Sequence, residues 1–150
     1  MAAMRFMSLA LDEARAAAAR GEVPVGAIIV DPDGERVLAR AGNRVEELSD
    51  PSAHAEILVI RQAAAILKTP RLADCVLFVT LEPCAMCAAA IGLARLRRLY
   101  FGAYDAKGGG VVHGPRLFQQ STCHHRPEVV GGVEERAAAI LLRQFFSDRR

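Results

Sequence analysis

The stretch Val76-Leu77-Phe78-Val79-Thr80-Leu81-Glu82-Pro83-Cys84-Ala85-Met86-Cys87 joins an apolar, β-type run to the start of a helix. The run from Val76 to Leu81 predicts a buried strand, because it is apolar on both faces. Pro83 is typical of the first turn of a helix. Cys84 and Cys87, three residues apart, then share one face of that turn. The helix dipole at such a start favours thiolate over thiol, which is the form of cysteine that binds a metal ion.

The segments on either side of this stretch alternate between helical and extended patterns. The patterns predict helices over 3–20, 51–67, 83–93 and 134–146, and strands over 23–30, 36–41, 76–81, 96–102 and 128–133. Between them, residues 105–126 are rich in Gly and His and predict an irregular segment with one short helix near Leu117. This order of elements predicts an α/β fold built on a single mixed sheet with helices on both faces.

The composition is that of an ordinary globular protein, with 52% hydrophobic and 24% charged residues in a chain of 150. We therefore expect residues 1–150 to form a single domain. The N-terminal helix contains Asp12 and Glu13, unlike a secretion signal, and no apolar run approaches the length of a membrane span, so we expect a cytoplasmic protein. The net charge of +2 is too small to indicate nucleic-acid binding by itself. In a reducing compartment the four cysteines favour metal binding over disulfides.

A third candidate ligand lies about thirty residues before the two cysteines. Asp50 is a plausible N-cap and Pro51 a plausible first helical residue, so His54 and Glu56 are expected in the first turn of a helix. Residues two apart point to nearly opposite sides of a helix. Both side chains therefore reach one site only if that site lies over the end of the helix. The sequence predicts a metal ion between two helix N-termini, bound by His54, Cys84 and Cys87.

The ligand set has three members and no obvious fourth. Structural zinc sites normally have four protein ligands, whereas catalytic sites leave one position open for water, whose pKa the ion lowers. A nearby carboxylate such as Glu56 can then act first as a base and later as an acid. The pairing of His-x-Glu with Pro-Cys-x-x-Cys is the established signature of zinc-dependent nucleobase deaminases. The alternatives are a structural zinc knuckle and a redox Cys-x-x-Cys beside an unrelated histidine.

Sequence outside the metal motifs resembles one family over nearly the whole chain. The matching segments are residues 21–27, 42–44, 50–57, 79–87, 101–107, 125–129, 131–133 and 145–150. In these segments the chain resembles the bacterial tRNA-specific adenosine deaminases, within the cytidine/deoxycytidylate deaminase superfamily. The resemblance implies a three-layer α/β/α cytidine-deaminase-like fold, zinc as cofactor and a homodimer. It also implies that the partner is a tRNA anticodon arm, in which the wobble adenosine is converted to inosine.

The resemblance further implies a role for each matched position: zinc ligands at His54, Cys84 and Cys87, a proton shuttle at Glu56, and substrate-binding residues at Asn43 and Asp105. For two of these positions a local explanation stays open. Asn43 follows a glycine and is typical of a turn, and Asp105 is typical of a loop cap.

Three segments differ from the usual sequence of the family, namely residues 108–114, His124 and residues 135–137. They lie in regions expected to hold RNA or to shape the pocket, away from the predicted ligands. Two other functions therefore stay open. One is a deaminase of a free base or nucleoside, such as guanine, cytosine or adenosine. The other is a zinc-bearing RNA-binding subunit without catalysis, against which Glu56 argues because a structural zinc does not need that carboxylate.

Overall fold

The fold alternates helices and strands along the chain, and the computed structural model describes residues 2–149, with the side chain of Ala2 excepted. The elements are α1 (Ala2–Ala19), β1 (Gly26–Val30), β2 (Val37–Gly42), α2 (Val45–Leu48), α3 (Ala55–Leu67), β3 (Val76–Leu81), α4 (Ala85–Ala94), β4 (Arg98–Ala103), a 3-10 turn (Leu117–Gln119), β5 (Glu128–Val130) and α5 (Glu135–Ser147). Within this described part of the chain, no helix has both the length and the apolar character to cross a membrane.

The five strands form one sheet in the order β2-β1-β3-β4-β5. Strand β1 pairs antiparallel with β2 and with β3, whereas β3 with β4 and β4 with β5 are parallel. The prediction of a single mixed sheet is therefore confirmed. Strand β3 has the predicted bounds, because a central strand covered on both faces must be apolar throughout.

Helices cover both faces of the sheet and complete the three layers. On one face α1 and α5 pack over Ile28 and Phe78, and on the other α3 and α4 pack over Ile29 and Leu77. Successive strand residues point to opposite faces, so the central strands β1 and β3 contribute to both cores. The predicted three-layer α/β/α fold of the cytidine-deaminase type is confirmed.

The two helices that carry the predicted ligands begin later in the chain than the sequence indicates. Helix α3 begins at Ala55 with His54 as its N-cap, not at Pro51 with Asp50 as the cap. The side chain of Asp50 instead forms local hydrogen bonds. Its Oδ1 accepts from the backbone N–H and from the hydroxyl of Ser52, at 2.9 and 2.7 Å. Helix α4 likewise begins with Cys84 as its N-cap. The ligands therefore lie at the very start of each helix.

Gly26 is the point where α1 lies directly on the sheet. A Cβ atom at this position would overlap the carbonyl oxygen of Ala10 and lie 2.5 Å from the backbone nitrogen of Ala14. We expect Gly26→Ala to lower the free energy of unfolding by about 3 kcal/mol, because helix and strand must separate to admit the methyl group. Urea denaturation followed by circular dichroism measures this.

Gly92→Ala is the matched control for that measurement. Gly92 lies inside α4, where the nearest atom to an added Cβ is 3.4 Å away, an ordinary contact. Alanine is also the better helix former by about 1 kcal/mol, so this variant should be as stable as the parent or more stable. An equal loss of stability in both variants would contradict the close-packing argument.

Candidate active site

The site lies beyond the carboxyl ends of three strands, on one side of the sheet. Strands β2 and β3 both run antiparallel to β1, and β4 is parallel to β3, so their carboxyl ends share one edge. Asn43, Glu82 and Asp105 follow these three strands. Ligand sites in open α/β sheets commonly lie outside the carboxyl ends of the strands. Here a cavity of about 500 Å³ at this edge is lined by Asn43, His54, Glu56, Cys84 and Asp105, together with other residues.

A group of three potential metal ligands lies at this cavity: His54 and Cys84 line it, and Cys87 is buried beside them. The Nδ1 atom of His54 is 3.7 Å from Sγ of Cys84 and 3.5 Å from Sγ of Cys87. Within residues 2–149 no other set of His, Cys, Asp or Glu side chains brings three ligand atoms within 4.8 Å of one another. A tetrahedral zinc ion with Zn–N near 2.1 Å and Zn–S near 2.3 Å holds its nitrogen and sulfur ligands about 3.6 Å apart. The three side chains therefore fit zinc.

The charges of these side chains also suit a cation. The Cys87 thiol and the His54 ring hydrogen-bond to Cys84 and lower the pKa of its thiol to about 4, so Cys84 is a thiolate. The pKa of His54 is raised, mainly by the hydrogen bond to Cys84. The pKa of Cys87 is raised by its hydrogen bond to Cys84 and by burial. A divalent cation between the two sulfur atoms would favour deprotonation of both.

Glu56, the second residue of α3, is buried at the bottom of the same cavity, with 4% of its surface exposed. Its Oε1 has no hydrogen-bond partner, alone among the buried side-chain nitrogen and oxygen atoms of the described residues. Burial raises the pKa of this carboxyl group to about 7. An unpartnered buried polar atom costs about 1–3 kcal/mol, so its presence beside the ligand group indicates a carboxylate positioned to accept a proton from a bound molecule.

Asn43 is buried and connects the end of β2 to the start of α3. Its Oδ1 accepts a hydrogen bond of 2.8 Å from the backbone N–H of Ala55. Its side chain therefore caps another element instead of closing a local turn. The amide Nδ2 donates to none of the described residues, and Asn43 lines the cavity, so both N–H donors of the amide are left for a bound molecule.

Asp105 takes up the loop-cap position that its sequence context indicates. Its Oδ1 accepts hydrogen bonds from the backbone N–H groups of Lys107 and Gly108, at 3.2 and 2.9 Å. Asp105 also lines the cavity. Both interpretations from the sequence are therefore compatible with its position.

Sequence reasoning missed two buried carboxylates. Glu22 accepts hydrogen bonds from the backbone N–H groups of Glu46 and Glu47, at 3.0 and 2.8 Å, and so holds the start of α2, which also escaped prediction. Burial acts to raise the pKa of Glu82, but hydrogen bonds from Asp105 and His113 outweigh it and hold that pKa below its usual value. The sequence does contain one signal for both residues: Glu22 and Glu82 each lie directly beside an otherwise apolar segment.

The lining of the cavity is apolar and acidic. Valine, leucine and phenylalanine side chains line it together with five carboxylates, which are Glu22, Glu46, Glu56, Glu82 and Asp105. Among the described residues, no lysine or arginine lines the cavity. Such a wall repels phosphate and suits an uncharged heterocyclic ring. A second cavity of about 290 Å³ lies beside α4 and contains none of the predicted site residues.

Fold and site together define a zinc-dependent deaminase, and comparison with known proteins agrees. Residues 2–103 match the family model described as the cytidine and deoxycytidylate deaminase zinc-binding region. The chain belongs to this deaminase family, on the branch of the tRNA-specific adenosine deaminases. Its similarity to the tRNA-specific adenosine deaminase of Agrobacterium fabrum is 59% identity over 145 residues, covering 97% of this chain and 94% of that protein.

Solved structures agree that the chain has a deaminase fold, and they include deaminases of two substrate classes. A structure from a study of A-to-I editing by tRNA:A34 deaminases at the wobble position superposes with a TM-score of 0.89 and 58% identity, covering 92% of this chain and 99% of that one. A guanine deaminase from Nitrosomonas europaea superposes with a TM-score of 0.79 and 27% identity, covering 96% of this chain and 84% of that one. Zinc is thus the cofactor that family and ligand group both indicate.

Proposed function

We propose that this protein hydrolytically deaminates adenosine to inosine at the wobble position of a tRNA anticodon. One observation carries the chemistry: the unpartnered Oε1 belongs to buried Glu56, which lines the cavity together with His54 and Cys84, and Cys87 lies beside these two in the same ligand group. The named activity of the relative that is 59% identical supports the choice of substrate.

In this proposal His54, Cys84 and Cys87 are the zinc ligands, and Glu56 is the proton shuttle. When bound, zinc supplies Lewis-acid activation of water. Glu56 takes a proton from the attacking water and delivers it to the ring nitrogen next to the attacked carbon. The water oxygen bonds to that carbon as a hydroxyl group. Glu56 then transfers the hydroxyl proton to the amine, the carbon–nitrogen bond breaks, and ammonia leaves as the carbonyl group of inosine forms. The balance is adenosine plus water giving inosine plus ammonia. Burial supports this role, because it raises the pKa of Glu56 to about 7. At neutral pH the carboxyl group can therefore both accept and release a proton.

Asn43 and Asp105 are the proposed substrate-binding residues. Asn43 contributes the amide donor that no described residue uses, and Asp105 shapes the loop at the cavity mouth. Because carboxylates line the cavity, the base enters it and the phosphates stay outside. A flipped-out nucleotide in an anticodon loop satisfies this geometry.

A deaminase of a free base or nucleoside is the alternative, and the similarity to a guanine deaminase favours keeping it. The deciding experiment incubates zinc-loaded protein with an anticodon stem-loop that carries adenosine at the wobble position. Guanine, cytosine and adenosine are tested in parallel. A stem-loop with its only adenosine moved one position along the loop serves as the control RNA. Inosine in the first RNA alone supports the proposal, and turnover of a small molecule with both RNAs unchanged overturns it.

Two variants of Asn43 separate its two hydrogen-bonding ends. Asn43→Asp keeps an acceptor for the N–H of Ala55 but removes the amide donor, whereas Asn43→Ala removes both. We expect both to lower kcat/KM by about tenfold or more, the effect of one lost hydrogen bond. Only Asn43→Ala should also lower the free energy of unfolding, by about 1–3 kcal/mol, because it leaves a buried N–H unpaired. Steady-state kinetics and thermal unfolding measure the two effects, and full activity in Asn43→Asp would refute the substrate contact.

We further propose a cytoplasmic homodimer formed by a single-domain chain. One sheet carries all the packed helices, which supports one domain. Helix α4 exposes Leu93 at 80% and Met86 at 39%, an apolar surface that a second copy can cover. Sedimentation equilibrium should give twice the chain mass of 16.1 kDa, and a single-chain mass would exclude the dimer.

A further inference from the structure

Glu82 is the centre of a hydrogen-bond cluster that its position next to the metal motif does not explain. Its side chain is buried, with 1% exposed. Its Oε1 accepts from the backbone N–H of Asp105 at 3.0 Å and pairs with Nδ1 of His113 at 2.8 Å. Its Oε2 accepts from the N–H groups of Val111, Val112 and His113 at 3.2, 2.9 and 3.0 Å. Every donor comes from residues 105–113, here named the rim loop.

The rim loop is pressed against the connection that carries Cys84. The N–H of Gly110 donates to the carbonyl of Pro83 at 2.8 Å, and a Cβ atom on Gly110 would lie 2.6 Å from the nitrogen of Ala85. A Cβ atom on Gly109 would overlap the Glu82 carboxylate. These contacts leave the loop little freedom relative to the start of α4.

The rim loop contains no helix or strand, so its backbone groups need partners from elsewhere. Glu82 supplies them for four N–H groups. The His113 ring is the one side-chain donor to Glu82 among the described residues. Because His113 is bound to Glu82 through both its backbone and its ring, it anchors the far end of the loop, while Asp105 anchors the near end. The ring of His113 also lies edge-on to Tyr104, with ring centroids 6.3 Å apart at 79°.

We propose that His113 is a positioning residue which, through Glu82, holds the rim loop in the shape that receives the RNA around the target adenosine. This inference rests on the proposed function, and it concerns RNA affinity and not the chemical step. Asp105 and Gly108, which line the cavity, lie within the loop that Glu82 and His113 anchor. Loosening the anchor therefore adds an ordering cost to RNA binding but leaves Glu56 and the zinc ligands in place.

Three variants test the proposal. His113→Ala removes the ring donor, whereas His113→Asn keeps one, because the side-chain amide nitrogen of asparagine occupies the position of Nδ1. Glu35→Gln is the control, since Glu35 is exposed in the turn between β1 and β2, away from the rim loop. We expect His113→Ala to raise KM for the wobble stem-loop about tenfold, as for one hydrogen bond lost to a charged group, with kcat within about threefold of the parent. His113→Asn should recover most of the parent KM.

Amide hydrogen exchange on the zinc-loaded protein without RNA provides an independent measurement. Exchange at Asp105, Val111 and Val112 should be faster in His113→Ala, and close to the parent in His113→Asn and Glu35→Gln. Unchanged exchange and kinetics in His113→Ala would overturn the inference, as would a fall in kcat at constant KM or an asparagine variant that behaves like alanine. If the parent protein leaves the stem-loop unmodified, the proposed function fails, whereas the exchange experiment still tests the anchor.

Discussion

Glu56→Gln is expected to lower kcat for adenosine deamination by roughly 10³-fold, within the usual range for loss of a general acid–base group. Glutamine has nearly the shape of glutamate but cannot take up and release a proton at neutral pH. The carboxylate is buried and its Oε1 has no hydrogen-bond partner among the described residues, so this oxygen is available to a bound water or substrate. Zinc content should stay at the parent level, because Glu56 is not among the proposed ligands.

Single-turnover kinetics with the wobble stem-loop and metal analysis by atomic emission measure these two quantities on the same samples. Glu35→Gln is the control, since Glu35 is exposed in the turn between β1 and β2, at the opposite end of the hairpin from Asn43. This variant should match the parent in rate and zinc content. A Glu56→Gln enzyme with the full rate would exclude the proton-shuttle role.

Cys87→Ser is expected to lose both zinc and activity. Cys87 is fully buried, and its sulfur lies 3.5 Å from Nδ1 of His54 within the proposed ligand group. The hydroxyl of serine does not ionise at neutral pH and is a poor zinc ligand. Loss of the ion should lower kcat on the order of 10³-fold, since a catalytic metal contributes several kcal/mol of transition-state stabilisation.

Cys123→Ser is the matched control for this loss. The thiol of Cys123 donates to the backbone carbonyl of His125 at 3.2 Å, a hydrogen bond that a serine hydroxyl can also make. We expect one zinc ion per chain and parent activity in this variant. Retention of a full complement of zinc in Cys87→Ser would show that the proposed ligand set is wrong. The Glu56 and Cys87 variants thus separate loss of proton transfer from loss of the metal.

The ligand positions could be predicted from sequence because they depend on short-range geometry. Cys84 and Cys87 are three residues apart at a helix start, and that spacing places both on one face whatever the rest of the chain does. Strand β3 was equally predictable from its continuous apolar run. The start of α3 was not, because Asp50 has two local partners available and the chain uses Ser52 instead of the helix end.

What the sequence by itself determined is therefore the set of residues proposed to carry the chemistry: the proposed metal ligands, the carboxylate beside them and the strand and helix that present them. The tertiary structure decided how the cavity is closed and how its rim is held. Glu22 supports a short helix 24 residues away, and Glu82 binds a histidine 31 residues away. Such contacts depend on which strands lie side by side and on which groups burial leaves without water. Local spacing carries no information about either, because both are properties of the assembled sheet.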